Sequence, residues 1–353
     1  ARSSIRVKNT SNGIICFSTA VQQLNTVLLV ILGTYLIHSD DPHNRITMGA
    51  LIAAVILSGR ALAPLGQIAS LATRFQQARL AMQGVNEIVR RPVERESQTH
   101  YLTVKDIQGE FRFSAVTFFY KPELPAALKG MSVCIRPGEK VGIIGTIGCG
   151  KSTLLKMMVG LYRQNKGQIT LDGVAMQQLD PCFVRDKVFL LEQNPRLFLG
   201  TLRENLQLSR LPGSLSDVDM INAAGRFGFD RFIRHHPCGL DMQIGEGGQG
   251  LSGGQRQMVA LTRMVLGSPR VVLLDEPTTG LDLQTENIVL KGLNHWSRGR
   301  TMVVVTHRLQ VLNIVDRIIV MNEGRVMMDG PRDEILKKLS GKQQSGESRA
   351  ITS

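Results

Sequence analysis

The sequence predicts an α/β domain that is organised around a phosphate-binding loop and preceded by two apolar helices. A glycine-rich loop at positions 145–152 lies between a short apolar strand pattern and an apolar helical run. Another apolar strand pattern ends in the carboxylates of Asp275 and Glu276. Long apolar stretches at positions 13–38 and 48–72 precede this domain. Alternating strands and helices favour a sheet covered by helices, and the apolar stretches favour membrane-spanning helices.

The length of the chain allows two domains, and its composition is strongly basic. The chain has 353 residues, of which 43% are hydrophobic, and its formal net charge is +13. A basic balance is compatible with nucleic acid, anionic lipid or phosphate ligands, but we favour the lysine and arginine that flank membrane helices. Scattered cysteines without a C-x-x-C pair argue against a disulfide framework or a zinc site. The sequence begins Ala-Arg-Ser without an initiator methionine, so we expect a piece of a longer protein.

The two apolar stretches are interpreted as a membrane hairpin. Residues 13–38 would reach about 39 Å as a helix, which is enough to cross a bilayer. A polar turn at 39–45 follows, and the second apolar stretch continues as a helix towards Arg91 and Pro92. Two long buried helices of a soluble bundle are the alternative.

Basic residues predict the orientation of this hairpin. They cluster before the first span and after the second, so both ends should be cytoplasmic. These residues are Arg2, Arg6, Lys8, Arg74, Arg79, Arg90 and Arg91. The spans also hold polar side chains, namely Gln22, Gln23, Asn25 and Arg60. They could line a transport route or form hydrogen bonds between helices, and the sequence leaves both interpretations open.

Composition changes along the chain predict its domain boundaries. Residues 93–109 are polar and irregular, and the last residues are rich in serine, lysine and glutamine. We assign residues 1–92 to the membrane hairpin, 93–109 to a linker, 110–339 to the α/β domain and 340–353 to a disordered tail.

The glycine-rich loop predicts a nucleotide site. It reads Gly-Thr-Ile-Gly-Cys-Gly-Lys-Ser, which matches G-x-x-x-x-G-K-[ST] between a strand and a helix. Its glycines let backbone N–H groups turn towards a phosphate, and the helix N-terminus adds a favourable dipole. Lys151 is expected to reach the β- and γ-phosphates, and Ser152 to bind Mg²⁺. The residues predicted to hold the nucleotide are Gly145, Thr146, Ile147, Gly148, Cys149, Gly150, Lys151, Ser152 and Thr153.

Two further strand ends carry groups suited to phosphate chemistry. Because successive strand residues point to opposite faces, Asp275 and Glu276 cannot do the same job. Another apolar strand pattern, beginning at position 302, ends at His307. A lone histidine is usually structural, so this residue gains meaning only from its context.

A rare heptapeptide, Leu-Ser-Gly-Gly-Gln-Arg-Gln at positions 251–257, lies between the phosphate loop and the carboxylates. These three motifs in this order resemble the ATP-binding cassette (ABC) family. The resemblance implies that Asp275 supports Mg²⁺, that Glu276 polarises the attacking water and that His307 contacts the γ-phosphate of ATP. Such catalysis depends mainly on positioning and charge neutralisation.

The resemblance assigns roles to further residues. Gln193 corresponds to the glutamine that contacts Mg²⁺ or the water. Tyr120 corresponds to the aromatic residue that stacks on adenine, with Phe119 as the alternative if the register differs by one residue. Asp282 lies in the family's loop after the carboxylates. A helical subdomain is expected before the heptapeptide. Ser252, Gly254 and Gln255 would bind ATP held by Lys151 of a second copy, so the site would be composite. Cys149 stands where the family more often has serine, and we interpret it as a small, tolerated turn residue rather than a redox sensor.

Among ABC proteins, the fused hairpin resembles the last two helices of an all-α exporter domain. Strings at 51–64, 75–79, 179–181 and 195–205 are similar to type I protein-secretion exporters for large adhesins and RTX proteins. This implies a bacterial inner-membrane protein with a cytoplasmic ATPase domain, a periplasmic adaptor, an outer-membrane channel and a secreted protein as substrate. Peptide or bacteriocin exporters and lipid or drug exporters are the alternatives. A soluble ABC ATPase that acts on nucleic acid is more remote, because it would carry no membrane helices.

Overall fold

The computed structural model describes residues 2–38, 46–91, 93–95, 100–102, 104–209 and 214–344. The chain forms two compact units, Ala1–Val93 and Glu94–Ser353. The predicted polar turn at 39–45 lies outside the described residues.

The first unit is a pair of packed helices, α1 (Arg2–Ile37) and α2 (Met48–Val89). Thr47 caps α2 by accepting a hydrogen bond from the amide of Ala50 at 3.2 Å. Between the helices, Asn25 Nδ2 donates to Ser58 Oγ at 2.6 Å. Gly33 is buried against Leu51, where an added Cβ would lie 2.2 Å from a side-chain carbon. For Asn25, this contact favours the interpretation as an interhelical hydrogen bond.

Part of the predicted hairpin is apolar enough to span a membrane. Among the described residues, one helical segment, Thr19–Ile37, is long and apolar enough to cross a bilayer, with a mean hydropathy of 1.6. Within α2, the residues Met48–Ala61 form a shorter apolar stretch. The second span expected at 48–72 includes side chains outside the described part of the chain, so it stays a prediction.

The second unit alternates strands and helices. Its strands are β1 (Phe111–Phe118), β2 (Leu128–Ile135), β3 (Lys140–Gly145), β4 (Lys166–Leu171), β5 (Val174–Ala175), β6 (Val188–Leu191), β7 (Gly200–Thr201), β8 (Gln243–Ile244), β9 (Val271–Asp275), β10 (Thr301–Val305), β11 (Arg317–Asn322) and β12 (Arg325–Pro331). Its helices are α3 (Lys151–Met158), α4 (Pro181–Lys187), α5 (Leu202–Gln207), α6 (Asp217–Gly225), α7 (Asp230–His235), α8 (Gly253–Gly267), α9 (Leu283–Trp296), α10 (Leu309–Leu312) and α11 (Arg332–Gln344). Short 3₁₀ turns lie at Met176–Gln178, Gly239–Asp241 and Glu246–Gly248.

A six-stranded sheet in the order β12-β11-β3-β10-β9-β6 forms the centre of this unit. All neighbouring strands in it are parallel except β12, which pairs antiparallel with β11. Every residue of β9 and of β10 is buried, as expected for central parallel strands with both faces covered. A four-stranded antiparallel sheet, β2-β1-β4-β5, covers one side.

Two hydrophobic cores lie on opposite faces of the central sheet. Val271 and Leu273 of β9 point to the core shared with the antiparallel sheet. Val272 and Leu274 point to the core shared with helices α5 to α8, which form the expected helical subdomain between β6 and β9. The two-residue side-chain period of a strand thus assigns alternate residues to separate cores.

At two predicted boundaries, ordered contacts or helix extend into residues expected to be irregular. The stretch expected to be a linker belongs partly to the second unit, because Ile107 is buried and the amides of Gln108, Gly109 and Glu110 donate to the carboxylate of Asp172. The tail expected to be disordered from residue 340 begins inside α11, which continues to Gln344. The rest of that tail lies outside the described residues.

Candidate nucleotide site

The topology of the central sheet brings the predicted site residues to one edge. The phosphate loop follows β3, His307 follows β10, Glu276 follows β9 and Gln193 follows β6. These four strands are neighbours and run parallel, so their carboxyl ends meet at the same edge. Ligands of open α/β sheets bind at this edge.

The phosphate loop is folded so tightly that two of its glycines are required. Gly150 has φ +101°, and an added Cβ would lie 2.5 Å from the carbonyl oxygen of Ala127. At Gly145 an added Cβ would lie 2.1 Å from the carbonyl oxygen of Met321. Cys149 is buried in the same turn, whereas Ile147 is fully exposed at its tip. Burial of Cys149 supports its interpretation as a small turn residue.

Lys151 is the first residue of α3 and lies inside the loop. Its ammonium donates to the carbonyl oxygens of Gly145 and Thr146, both at 2.8 Å. No side chain caps the N-terminus of α3, so the first amides of that helix remain available to an anion. The glycine-rich turn, the ammonium of Lys151 and the uncapped amides of α3 together fit the phosphates of a nucleotide.

Asp275 and Ser152 supply oxygen ligands suited to Mg²⁺. The hydroxyl of Ser152 is hydrogen-bonded to the carboxylate of Asp275 at the end of β9. Burial, helped by the charge of Glu276, raises the pKa of Asp275 above its ordinary value, although Ser152 and Lys151 oppose this. No cluster of three or more His, Cys, Asp or Glu suited to a metal occurs among the described residues. Mg²⁺ does not require one, since it is usually held by one or two protein groups together with phosphates and water.

Glu276 is fixed at both its backbone and its side chain. The residue is buried and has φ +48°, a left-handed conformation that is unusual for a residue other than glycine. Its amide donates to the carbonyl oxygen of Val305 at 2.9 Å. Its Oε1 lies 2.6 Å from His307 Nδ1, and its Oε2 accepts from Thr306 Oγ1 at 3.2 Å. The carboxylate is therefore aimed by residues from the neighbouring strand end.

Tyr120 is joined to the phosphate loop. Its hydroxyl lies 2.9 Å from Thr153 Oγ1, and its ring meets those of Phe118 and Tyr162 edge to face at centroid distances of 5.0 and 5.2 Å. About half of the residue is exposed, so part of its ring is accessible to a base.

The heptapeptide begins helix α8. Ser252 is the N-cap residue: its hydroxyl accepts from the amide of Gln255, and the side chain of Gln255 accepts from the amide of Ser252. Gly254 lies against Gly280, where an added Cβ would be 2.8 Å from a carbonyl oxygen. Within the described part of the chain, no hydrogen bond joins Ser252, Gly254 or Gln255 to the phosphate loop.

Comparison with known families supports this geometry. Residues 128–279 match the family model described as ABC transporter. This unit is an ABC transporter ATPase domain. The predicted fold class, an ABC cassette with an inserted helical subdomain after helices of an exporter domain, is thereby confirmed.

Several toxin exporters are similar to the chain. The leukotoxin translocation ATP-binding protein LktB of Mannheimia glucosida is 35% identical over 324 residues, which are 91% of this chain and 45% of that protein. The toxin RTX-I translocation ATP-binding protein of Actinobacillus pleuropneumoniae is 33% identical over 91% of this chain and 44% of its own length. The chain thus spans less than half the length of these relatives.

A solved structure shares the fold. The structure of a bacterial Atm1-family ABC exporter with ATP bound aligns with a TM-score of 0.74 and 24% sequence identity. The alignment covers 99% of this chain and 61% of that chain.

The structure also places two other predicted residues of the ABC ATPase domain. Gln193 is exposed beyond β6. Asp282 caps α9: its carboxylate accepts from the amides of Gln284 and Thr285 and from the hydroxyl of Thr285. The Thr285 hydroxyl holds the pKa of Asp282 below its usual range. Asp282 is therefore the N-cap residue of α9.

Sequence reasoning missed two residues that contact Glu276. Thr306 immediately precedes His307 and binds the carboxylate, as described above. Gln257, one turn into α8, donates from Nε2 to the carbonyl oxygen of Glu276 at 3.4 Å and is almost fully buried. Gln257 belongs to the heptapeptide, but that motif predicts contacts to phosphate. It does not predict the hydrogen bond from Gln257 to the backbone of Glu276.

Proposed function

We propose that the chain binds and hydrolyses ATP and uses the reaction to drive export across a bacterial inner membrane. The grouping of Glu276, His307 and Thr306 beside the phosphate loop carries this proposal. In it, Lys151 exchanges its two carbonyl partners for phosphate oxygens, and Glu276 orients and deprotonates the attacking water. Ser152, Asp275 and Gln193 would hold Mg²⁺, which when bound neutralises phosphate charge.

The site is proposed to be completed by a second copy of the chain. Ser252, Gly254 and Gln255 have no hydrogen bond to their own phosphate loop in the described part of the chain, yet they start a helix whose N-terminal amides favour an anion. In a dimer they would face the γ-phosphate held by Lys151 of the other copy. Closure of such a dimer around ATP would move the membrane helices, and hydrolysis would reset them.

The transported substrate is proposed to be a secreted protein. Support comes from the similarity to toxin translocation proteins over 91% of the chain. A periplasmic adaptor, an outer-membrane channel and an ATPase domain on the cytoplasmic side belong to the same proposal, because the resemblance to type I secretion exporters implies them. Peptide, bacteriocin, lipid and drug export remain the alternatives, and the helix Thr19–Ile37 argues against a soluble ATPase on nucleic acid.

Substitution of Glu276 tests hydrolysis. Glu276→Gln should leave ATP binding intact and lower kcat by roughly 10²-fold or more, because the amide cannot accept the proton of the water. Glu323→Gln is a matched control, since Glu323 also has a left-handed backbone but is exposed. Binding is measured with a fluorescent nucleotide and turnover by phosphate release. Hydrolysis retained by Glu276→Gln would contradict the proposed role.

Deletion of the full-length gene tests protein export. A protein should disappear from the culture medium and return with the wild-type gene but not with the Glu276→Gln gene. An unchanged set of secreted proteins would argue for one of the other exporter classes.

A further inference from the structure

The hydroxyl of Thr306 connects the carboxylate of Glu276 to the backbone after His307. Thr306 is almost fully buried, and its Oγ1 accepts a hydrogen bond from the amide of Arg308 at 3.1 Å. The same oxygen donates to Glu276 Oε2 at 3.2 Å. An amide N–H can only donate and an ionised carboxylate can only accept, so the direction of both bonds is fixed.

Thr306 binds the carboxylate oxygen that His307 leaves unused. His307 contacts Oε1 of Glu276, and Thr306 contacts Oε2. The terminal torsion of a glutamate is broad, so a carboxylate held by one oxygen can still turn about its last bond. Two contacts, one to each oxygen, fix the plane of the group.

The two partners of the carboxylate differ in how firmly they are held. The side chain of His307 is 76% exposed, whereas Thr306 is buried and follows directly on β10. Rotation of the imidazole towards a ligand would remove the contact to Oε1. The contact from Thr306 would then be the one that keeps Glu276 aimed.

The segment after Thr306 is anchored on a separate helix. Arg308 Nη1 lies 2.9 Å from Oε1 of Glu286, a carboxylate on α9 that is only 1% exposed. This ion pair fixes Arg308, whose amide in turn fixes the hydroxyl of Thr306. A continuous set of contacts therefore joins α9 to the carboxylate of Glu276.

We propose that Thr306 is a positioning residue for ATP hydrolysis, which acts by fixing the plane and direction of the Glu276 carboxylate. This inference rests on the proposed role of Glu276. Because Thr306 is almost fully buried, its substitution should affect turnover rather than nucleotide binding. The hydroxyl, and not the methyl group, supplies the effect.

Valine and serine substitutions separate the hydroxyl from the shape of the side chain. Thr306→Val should lower kcat about tenfold, because a small misplacement of a catalytic group is costly, while KM for MgATP stays within about twofold. Thr306→Ser keeps the hydroxyl and should retain kcat within about twofold of the wild type. The assay uses the full chain and phosphate release at saturating MgATP.

Thr301 is a matched control at the other end of β10. It is also buried, and its hydroxyl donates to the carbonyl oxygen of Gly109 at 3.0 Å and accepts from the amide of Gly138 at 2.9 Å. Thr301→Val removes the same pair of bonds away from the carboxylates. It should lower the melting temperature about as much as Thr306→Val does but leave kcat unchanged.

Three outcomes would overturn the positioning role of Thr306. Equal kcat values for Thr306→Val and Thr301→Val would overturn the positioning role, and so would a loss of turnover in Thr306→Ser equal to that in Thr306→Val. A rise in KM without a fall in kcat would overturn it as well. Full hydrolysis by Glu276→Gln would instead refute the proposed function itself, independently of the result at Thr306.

Discussion

At Gly150 the phosphate loop has no space for a side chain. Its φ of +101° is strained for any other residue, and an alanine Cβ would meet the carbonyl oxygen of Ala127 at 2.5 Å. We expect Gly150→Ala to lower the free energy of unfolding by more than about 2 kcal/mol and to abolish nucleotide binding. Urea unfolding and a fluorescent-nucleotide titration measure the two effects.

Gly138 provides the control for that prediction. It has φ +73°, but an added Cβ would meet nothing within 4 Å. Gly138→Ala should therefore cost only the backbone strain, about 1 kcal/mol, and leave nucleotide binding unchanged. Equal stability of the two variants would show that the close approach at Gly150 is easily relieved.

Helix α5 carries Asn205, which holds the loop between β6 and β7. Asn205 is almost fully buried, donates to the carbonyl oxygens of Phe198 and Thr201 and accepts from the amide of Phe198. Arg263 of α8 also donates to the backbone and side-chain oxygens of Asn205. Burial lowers the pKa of Arg263 to about 10, so this guanidinium depends on those oxygens.

Removing that amide should loosen the whole loop. Asn205→Ala leaves buried backbone groups and part of Arg263 without partners, so we expect a loss of about 2–3 kcal/mol in the free energy of unfolding. The exposed Asn194 provides a control, since Asn194→Ala should change stability by less than about 0.5 kcal/mol. Urea unfolding compares the variants, and similar midpoints for both would contradict the prediction.

Arg203 of α5 links three parts of the helical subdomain. It donates to Asp217 at the start of α6 and, from Nε at 2.8 Å, to Asp241 in a 3₁₀ turn. Hydrogen bonds from Arg203 hold the pKa values of Asp217 and Asp241 below their usual range. A carboxyl whose pKa is lowered by folding stabilises the fold above its unfolded pKa and loses that contribution as the pH falls through the folded value.

The pH dependence of stability tests this link. Arg203→Gln should be less stable than the wild type at pH 7, and the difference should shrink as the pH falls below about 4, where both carboxyl groups become protonated. Arg231→Gln, an exposed arginine on α7, is the control. Urea midpoints at a series of pH values measure the effect, and a difference that stays constant with pH would exclude the ion pairs as its source.

The local motifs made the central strands and the phosphate loop predictable from sequence. The conformation of the phosphate loop depends on glycines and Lys151 that are close together in the sequence, so their order along the chain predicts it. Contacts between distant residues do not appear in such patterns: Thr306 and Gln257 meet Glu276 only because β9, β10 and α8 pack together. The pattern S-x-x-Q at Ser252 and Gln255 predicts a capping box, which the structure contains. The resemblance to ABC proteins predicts instead that these residues bind ATP.

The proposed composite sites predict complementation between two inactive variants. Lys151→Ala removes the lysine from both sites of a dimer, and Ser252→Arg blocks both contributions from α8. A mixed dimer would keep one site with an intact lysine and an intact Ser252. Mixing the two inactive variants should therefore yield ATPase activity well above the sum of the separate preparations. Activity that stays at that sum would contradict the composite site.

Dimer formation also predicts how activity depends on concentration. Both hydrophobic cores lie within the second unit, so residues 94–353 can be expected to fold without helices α1 and α2. Below the dissociation constant of the dimer, the specific activity of this unit should rise with protein concentration, because mass action controls the number of complete sites. A verified monomer with constant specific activity would contradict this.

The left-handed backbone conformation of Glu276 affects how this protein can be engineered for heat resistance. A left-handed conformation costs a residue with a side chain about 1 kcal/mol or more, and glycine would remove that cost. Glu276→Gly would remove that cost but would also lose the hydrogen bonds of the carboxylate to His307 and Thr306. The backbone and the side chain of this residue thus act on stability in opposite directions, so the melting temperature of an engineered variant does not report its turnover, and activity must be screened separately.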